Sequence, residues 1–460
     1  MSFWFGMRIV TAQILCRLSS IILRALGHGG TSLPGRIALH ICPDLLSILG
    51  RGVTVTLITG TNGKTTTARI IEESFIIAGL RCFSNRSGAN LLPGITAVFS
   101  AHSSLTGRSR FSYAVIECDE AAFRSVSQYL EIDIVVVTNI FRDQLDRYGE
   151  ITHTADIINM GLKNCSKAVL CLNADCSLTV SLAEGLSNRI VYFGVDCSFD
   201  EDSAFGLSDA AYCIKCQGKY NYVYTTFGHL GGFSCQECGY ARPMADATVT
   251  KIYQMDADSS EIELRVFEET FSSRVNLPGS YNIYNASAAA AAAAVKGFPG
   301  DVIVGALNSF RCSFGRSEKF WMGGSEVRIM LVKNPVGFNQ VLSFITKTDF
   351  EMTLILALND RLADGTDVSW IWDVDFEMLL RIKQRILRFY VTGIRAGDMA
   401  LRLKYAGFSE SDINLISDYG ELIAAAAKDG RHIFILPTYS ALLDIRHALS
   451  KFLPVKAFYE

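Results

Sequence analysis

The sequence predicts an α/β protein: a phosphate-loop domain carrying a four-cysteine insertion, followed by a second α/β domain. Three observations lead there. A β-branched run at residues 53–59 stops at a glycine loop and passes into a helical pattern over 64–78. Two Cys-x2-Cys pairs interrupt the chain near its middle. Beyond Gly324, strand-like runs and helical patterns alternate afresh.

The 460 residues are 49% apolar and 19% charged, which suits several packed cores and excludes disorder for most of the chain. Lys plus Arg number 43 against 46 Asp plus Glu, a net charge of -3, so a nucleic-acid backbone is not the expected partner. The 13 cysteines are odd in number, mostly single in apolar runs and not preceded by a secretory leader pattern, which fits a reducing cytoplasm.

In chain order, residues 1–50 form an N-terminal helical segment. Its stretch 9–26 is apolar but interrupted by Arg17 and Arg24, which predicts an amphipathic helix docked on the protein or resting on a membrane surface, rather than a spanning helix or signal peptide. The phosphate-loop domain is assigned to 51–312. Its strands at 53–59, 113–118, 132–138, 168–173 and 189–194 alternate with helices, predicting a mainly parallel, doubly wound sheet. Residues 205–244, rich in Gly, Tyr and paired Cys, read as an insertion, and 247–275 alternates as antiparallel strands do. Helices follow at 282–295, where the alanine run is a good helix former, and at 301–310. Residues 312–324 read as a polar hinge into the C-terminal domain, 313–460, with strands at 326–332, 352–358, 385–392, 413–417 and 432–436.

The loop Gly60-Thr61-Asn62-Gly63-Lys64-Thr65-Thr66-Thr67 is the strongest motif. Backbone N–H groups at such a glycine turn cradle the phosphates of ATP, the lysine reaches the terminal phosphates, and the hydroxyl of Thr65 is placed for Mg2+. Metal carboxylates are expected at neighbouring strand ends. Glu117 is the first candidate, beside Asp119 and Glu120; Asn139, Asp143 and Asp146 follow the next strand. Cys213-x2-Cys216 and Cys235-x2-Cys238 have the spacing of two zinc knuckles. Four thiolates leave no open coordination position, so a structural Zn2+ ribbon without a core of its own is expected. In the C-terminal domain Asp360, Asp364, Asp367, Asp373 and Asp375 accompany Trp370 and Trp372, and exposed indoles beside acids suggest a partner surface.

Gly60 to Thr67, Thr138-Asn139-Ile140 with Asp143 and Asp146, Gly279-x2-Asn282-x2-Asn285-Ala286, and Phe314-Gly315-Arg316-x-Glu318 occur in the order found in the central ATPase of the Mur ligases. The chain resembles that family over 53–318. Lys333-Asn334-Pro335-Val336-Gly337 and the segment from Asn359-Asp360 to Asp364-Gly365-x-Asp367, with the four-cysteine insertion, are similar to one branch of it: the synthetase subunits of lipid II isoglutaminyl synthases. The resemblance implies a Mur ligase-like α/β fold with a Rossmann-like C-terminal domain. It also implies amidation of the α-carboxylate of D-glutamate in lipid II, through an acyl phosphate, with ammonia from a GatD-type glutamine amidotransferase in a heterodimer. By the same resemblance Thr61, Asn62, Gly63, Lys64, Thr65 and Thr66 hold ATP phosphates and Thr65 with Glu117 holds Mg2+. Asn282 and Asn285 face adenine, and Arg316 reaches the phosphates.

Asp367 would lend a carboxylate to the partner's glutaminase base, and is preferred to Asp364, whose place before Gly365 suits a turn. Tyr281 and Gln144 stand where the wider family has histidines, so a second metal site of the usual kind is not carried over. The segment before the phosphate loop is too short for a domain that binds a soluble UDP substrate, which suits a lipid-linked acceptor at the inner face of the plasma membrane. Two rivals are a folylpolyglutamate synthetase-like ligase and a nucleotide-switched zinc-ribbon binding protein.

Overall fold

The computed structural model describes residues 3–25, 32–85, 89–142, 151–199, 210–256, 258–311, 316–322, 324–429 and 432–451. Asp143, Gln144, Asp146, Phe314 and Gly315 lie outside the described residues.

A nine-stranded sheet forms the first layer system. From one edge its order is Glu269–Val275, Ser260–Val266, Ala247–Met255, Ile190–Val195, Val169–Asn173, Ile134–Val137, Thr54–Thr59, Tyr113–Glu117 and Cys82–Ser84. The strands from Ala247–Met255 to Cys82–Ser84 run parallel, and Ser260–Val266 pairs antiparallel with both Ala247–Met255 and Glu269–Val275. The central strands are buried on both faces, as expected of near-continuous Val/Ile/Leu runs.

The alanine-rich helix Tyr281–Lys296 lies against this sheet with Ala288 to Ala293 all buried. Its small side chains allow a close approach, in which Ser287 Oγ reaches the carbonyls of Gly194 (3.1 Å) and Ala247 (2.9 Å). The run therefore serves packing as well as helix propensity.

The second sheet has the order Arg316–Met322, Ser325–Met330, His432–Pro437, Met352–Ala357, Ile386–Thr392 and Ile413–Leu415, parallel except for its first pair. Residues expected as a hinge therefore include an edge strand, Arg316–Met322. Its polar residues fit an edge, where charges discourage further pairing. A small hairpin, Tyr220–Thr225 with Gly231–Cys235, forms the third sheet. At the N-terminus, helix Phe3–Ala25 packs with Ser32–Ile41 and Leu92–Ala101.

Candidate nucleotide and metal sites

The loop after Thr54–Thr59 turns at Gly60 and Gly63, with φ of 113° and 86°, and opens helix Lys64–Ile77. Both glycines are required by space as well as by φ: a Cβ on Gly60 would press on Thr138 Oγ1, and one on Gly63 would collide with Asn285 Oδ1. Asn139, at the end of the neighbouring strand, fixes the loop. Its Oδ1 accepts from Asn62 N (2.9 Å), its Nδ2 donates to Asn62 O (3.1 Å) and its carbonyl accepts from Thr61 N (2.9 Å). Asn139, a metal candidate in the sequence, braces the loop.

Lys64 is buried, and its Nζ donates to Gly60 O (2.6 Å), Thr61 O (3.2 Å) and Glu120 Oε2 (3.0 Å). Burial alone pulls a lysine pKa down, but the carboxylates of Glu120, Asp119 and Glu117 outweigh it and raise the value, so the ammonium stays charged. Thr65 Oγ1 donates to Glu117 Oε2 at 2.7 Å. Asn85 holds Glu117 from both sides of its peptide, donating to Glu117 O (2.7 Å) and accepting from Glu117 N (2.8 Å). Asp119 caps helix Glu120–Tyr129 through Ala121 N (3.1 Å). The hydroxyl and carboxylate of Thr65 and Glu117 are hard oxygen donors that fit Mg2+.

A cavity opens beside this loop, lined by Asn62, Gly63 and Thr66, by Tyr281, Asn282 and Asn285, and across the cleft by Lys333, Asn334 and Gln340. Asn285 Nδ2 donates to Asn282 Oδ1 (2.8 Å), and Asn282 Nδ2 to Pro278 O (2.7 Å), so the two asparagines are set as a unit at the start of their helix. Asn334 caps helix Pro335–Thr346 through Gly337 N (2.8 Å) and donates Nδ2 to Asn62 Oδ1 (3.1 Å). Sequence reasoning used Asn334 as a family marker without giving it this contact. It also missed Phe227, a wall of the same cavity delivered by the cysteine-bearing hairpin. Phe227 rests on Phe141 and Tyr284, with ring centroids 5.8 and 5.4 Å apart. Only tertiary structure brings it there. Arg316 opens the edge strand paired with Met330.

The Sγ atoms of Cys213, Cys216, Cys235 and Cys238 all lie within 4.8 Å of one another, with Cys213–Cys238 at 3.5 Å and Cys216–Cys235 at 3.4 Å. A tetrahedron of Zn–S bonds of ~2.3 Å has edges of ~3.8 Å, so the quartet fits zinc. The region is not coreless, contrary to expectation: Tyr220, Phe233 and Tyr240 cluster with Val180, and Tyr240 Oη donates to Ser177 O (2.7 Å). Its arginine is tied inward, Arg242 to Asp175 (2.5 Å) and Asp196 (2.7 Å), while Asp175 also accepts from Tyr284 Oη (2.5 Å).

Among the C-terminal acids, Asp364 is buried and accepts from Ser440 N (2.7 Å) and Ser440 Oγ, anchoring helix Tyr439–Leu449. Asp367 is half-buried and turned to its own segment, accepting from Ser369 N (2.8 Å) and Ser369 Oγ (2.9 Å). Trp370 is buried against Phe338, so the expectation of two exposed indoles fails for it; Trp372 is exposed. The short helix Ser369–Asp373 buries Trp370 and Ile371 and leaves Trp372 exposed. Asn282 and Asn285 line the cleft beside the phosphate loop, and Lys64, Thr65 and Glu117 meet at that loop, whereas neither Asp367 nor the cysteine quartet lines the cleft.

Comparison with known proteins gives a consistent result. Residues 58–212 match the Mur ligase middle domain, and 331–442 match the MurT ligase C-terminal domain. The chain is 35% identical to the lipid II isoglutaminyl synthase (glutamine-hydrolyzing) subunit MurT of Streptococcus pneumoniae, over 94% of this chain and 95% of that protein. It is 34% identical to the protein of the same name from Staphylococcus aureus, over 97% and 98%. Among solved structures, a pseudomurein peptide ligase type C from Methanothermus fervidus superposes with a TM-score of 0.68 at 20% identity, covering 89% of this chain and 81% of that one. MurF from Acinetobacter baumannii superposes at 0.66 and 15%, covering 91% and 81%. At those identities the superpositions establish the Mur ligase-like α/β fold.

Proposed function

The chain belongs to the MurT family, and from that premise we propose that it is the ATP-dependent synthetase subunit that amidates the α-carboxylate of D-glutamate in lipid II. Thr65 paired with Glu117 beneath the glycine loop is the observation that carries the chemistry, because a hydroxyl and a carboxylate held there suit the metal of a nucleoside triphosphate. ATP transfers its γ-phosphoryl group to the carboxylate, giving an acyl phosphate and ADP. Ammonia then attacks the acyl carbon, phosphate leaves, and the nitrogen loses a proton to give D-isoglutamine.

In this reading the loop N–H groups of residues 61–66 bind phosphate oxygens. Lys64, kept charged by Glu120, moves to the transferred phosphoryl group and neutralises charge growing there. Thr65 and Glu117 would hold Mg2+, which when bound offsets phosphate charge. Asn282 and Asn285 receive the adenine, with Phe227 as the apolar wall beside it, and Arg316 approaches from the second sheet. The ATPase unit is assigned to 51–312 and the C-terminal unit to 313–460. The cysteine quartet holds a structural zinc ribbon. Ammonia comes from glutamine hydrolysed by a GatD-type partner, whose base is oriented by Asp367. The acceptor is lipid-linked, so the work is done from the cytoplasm at the membrane's inner face.

The reading is tested with purified chain and glutaminase partner, ATP, glutamine and lipid II. Amide formation with one ADP per product is expected. ADP release that does not depend on the acceptor would overturn it.

A further inference from the structure

Helix Phe3–Ala25 has two unlike faces. Ile9, Ala12 and Cys16 are buried against the protein, and polar bonds reinforce that side. Gln13 accepts from Ser100 Oγ and donates to Ser104 O (3.1 Å), Arg17 donates to Ser100 O (2.8 Å) and Ser103 O, and Arg8 donates to Ile41 O (2.9 Å). The opposite stripe, at helical spacing, leaves Trp4 75%, Leu18 50% and Ile21 63% exposed, with Met7, Leu15 and Ile22 beside them. Such a continuous apolar stripe calls for an occupant.

Charge says which one. Residues 1–43 contain Arg8, Arg17, Arg24 and Arg36 and no acidic residue, and 100–116, the segment that receives Arg17, contains Arg108 and Arg110 and again no acid. Arg8, Arg24, Arg108 and Arg110 are all exposed. Asp44, next to the turn that receives Arg8, is the nearest exposed acid in sequence, and an apolar stripe accompanied mainly by cations is complementary to an anionic lipid surface. By length and composition Trp4–Ala25 could cross a bilayer. The bonds of Arg8, Gln13 and Arg17 oppose that, since a spanning orientation would strip them from their carbonyls.

The position relative to the reaction centre is also informative. Gly35 packs so closely on helix Leu92–Ala101 that a Cβ there would strike the Pro93 carbonyl. Asn90, just before that helix, accepts from Asp119 N (3.0 Å), and Asn85 brackets Glu117. The N-terminal helices are thus mounted on the segment that carries the candidate metal carboxylates.

We propose that the outer face of helix Phe3–Ala25, with Arg24, Arg108 and Arg110, lies flat on an anionic bilayer and holds the reaction centre at the height of a membrane-anchored acceptor. This deepens the proposed function and rests on its lipid-linked substrate.

The full chain is tested by co-sedimentation with vesicles of pure phosphatidylglycerol and of pure phosphatidylcholine. Binding to the first, at least about tenfold weaker on the second and released by alkaline carbonate, is expected. The double variant Leu18→Asp/Ile21→Asp should lose vesicle binding and amidate an acceptor embedded in phosphatidylglycerol vesicles more slowly. It should amidate a soluble, lipid-free muropeptide at the wild-type rate. Arg24→Glu/Arg110→Glu changes only exposed charges and should also weaken binding. Four results overturn the proposal: no binding to phosphatidylglycerol, unchanged binding by both variants, resistance to carbonate (a spanning helix), or a wild-type dimer that the apolar variant dissolves. Failure to amidate either acceptor would instead overturn the proposed function and leave vesicle binding as a separate result.

Discussion

Asn334 Nδ2 lies 3.1 Å from Asn62 Oδ1, joining the cap of a helix beside the second sheet to the phosphate loop of the first. The same side chain accepts from Gly337 N, so one residue both starts helix Pro335–Thr346 and touches the nucleotide loop. Asn334→Asp keeps the cap acceptor but removes the donor and adds negative charge near the phosphates. It should raise the KM for ATP by about tenfold, the scale of a lost hydrogen bond plus repulsion, at nearly unchanged Tm. Asn334→Ala should also lower stability by about 1 kcal/mol. Equal ATP KM values for Asn334→Asp and wild type would remove this contact from the nucleotide site.

Lys64→Ala should depress ammonia-dependent amidation by at least about 10²-fold, since the lysine acts on charge that grows during transfer. The structure adds a stability effect. Glu120 is buried and loses its cation, a change of about 3 to 5 kcal/mol for a buried pair. Lys64→Ala/Glu120→Gln should recover much of the melting temperature without recovering activity. Parallel recovery of both would mean that Lys64 acts only as structure.

His229 is buried at the tip of the cysteine-bearing hairpin, its ring 4.6 Å from Phe141 and its Nε2 3.3 Å from Cys176 Sγ. Its Nδ1 has no hydrogen-bond partner among the described residues. Burial holds its pKa down at about 4, against an ordinary 6.5. The unfolded chain therefore binds the proton first as pH falls. Stability is intact above pH 6.5 and declines until the folded pKa near 4 is passed, by about 2 kcal/mol at pH 5. Denaturation midpoints at pH 7 and 5 should diverge for wild type and much less for His229→Gln. Equal divergence would clear His229 of this role.

Because Phe227 belongs to that same hairpin, removal of metal from the cysteine quartet should reach the nucleotide cleft. Freshly purified protein should carry about one zinc per chain. Chelation, or Cys213→Ser with Cys235→Ser, should loosen the hairpin and weaken ATP binding, leaving the cluster of Tyr220, Phe233 and Tyr240 as a partial core. Zinc-free protein with unaltered ATP affinity would separate the two sites.

Much of this fold was legible because its signals are local. The run at 53–59, the glycines after it and the periodic helix that follows are each dictated by their own sequence, and the observed strand Thr54–Thr59 and helix Lys64–Ile77 differ only at their ends. The edge strand Arg316–Met322 was read as a hinge because an exposed edge tolerates charges that a central strand does not. Phe227 and Asn334 were hidden for a different reason. Neither belongs to the element that binds phosphate, and both reach it only when three separate layers pack. Trp370 shows the converse: its composition suggested a surface, but the turn of a short helix buries it.

Asp364 and Asp367, three residues apart, invite confusion, and their surroundings now separate them. Asp364 is buried and holds the start of helix Tyr439–Leu449 through both the amide and the hydroxyl of Ser440. Asp364→Ala should therefore cost about 1 to 3 kcal/mol of stability and impair both amidation assays together. Among the described residues Asp367 is bound through Ser369 in its own segment, so its position is not tied to a distant helix. Asp367→Asn keeps an oxygen for Ser369 N and should leave Tm within about 0.5 kcal/mol equivalent of wild type. If its carboxylate orients the partner's base, glutamine-dependent amidation should fall by as much as about 10⁴-fold, the scale seen when a triad acid becomes an amide. Ammonia-dependent amidation should survive, because Lys64, Thr65 and Glu117 are untouched. Wild-type glutamine hydrolysis by Asp367→Asn with its partner, or failure of ammonia to rescue the loss, would move the role elsewhere.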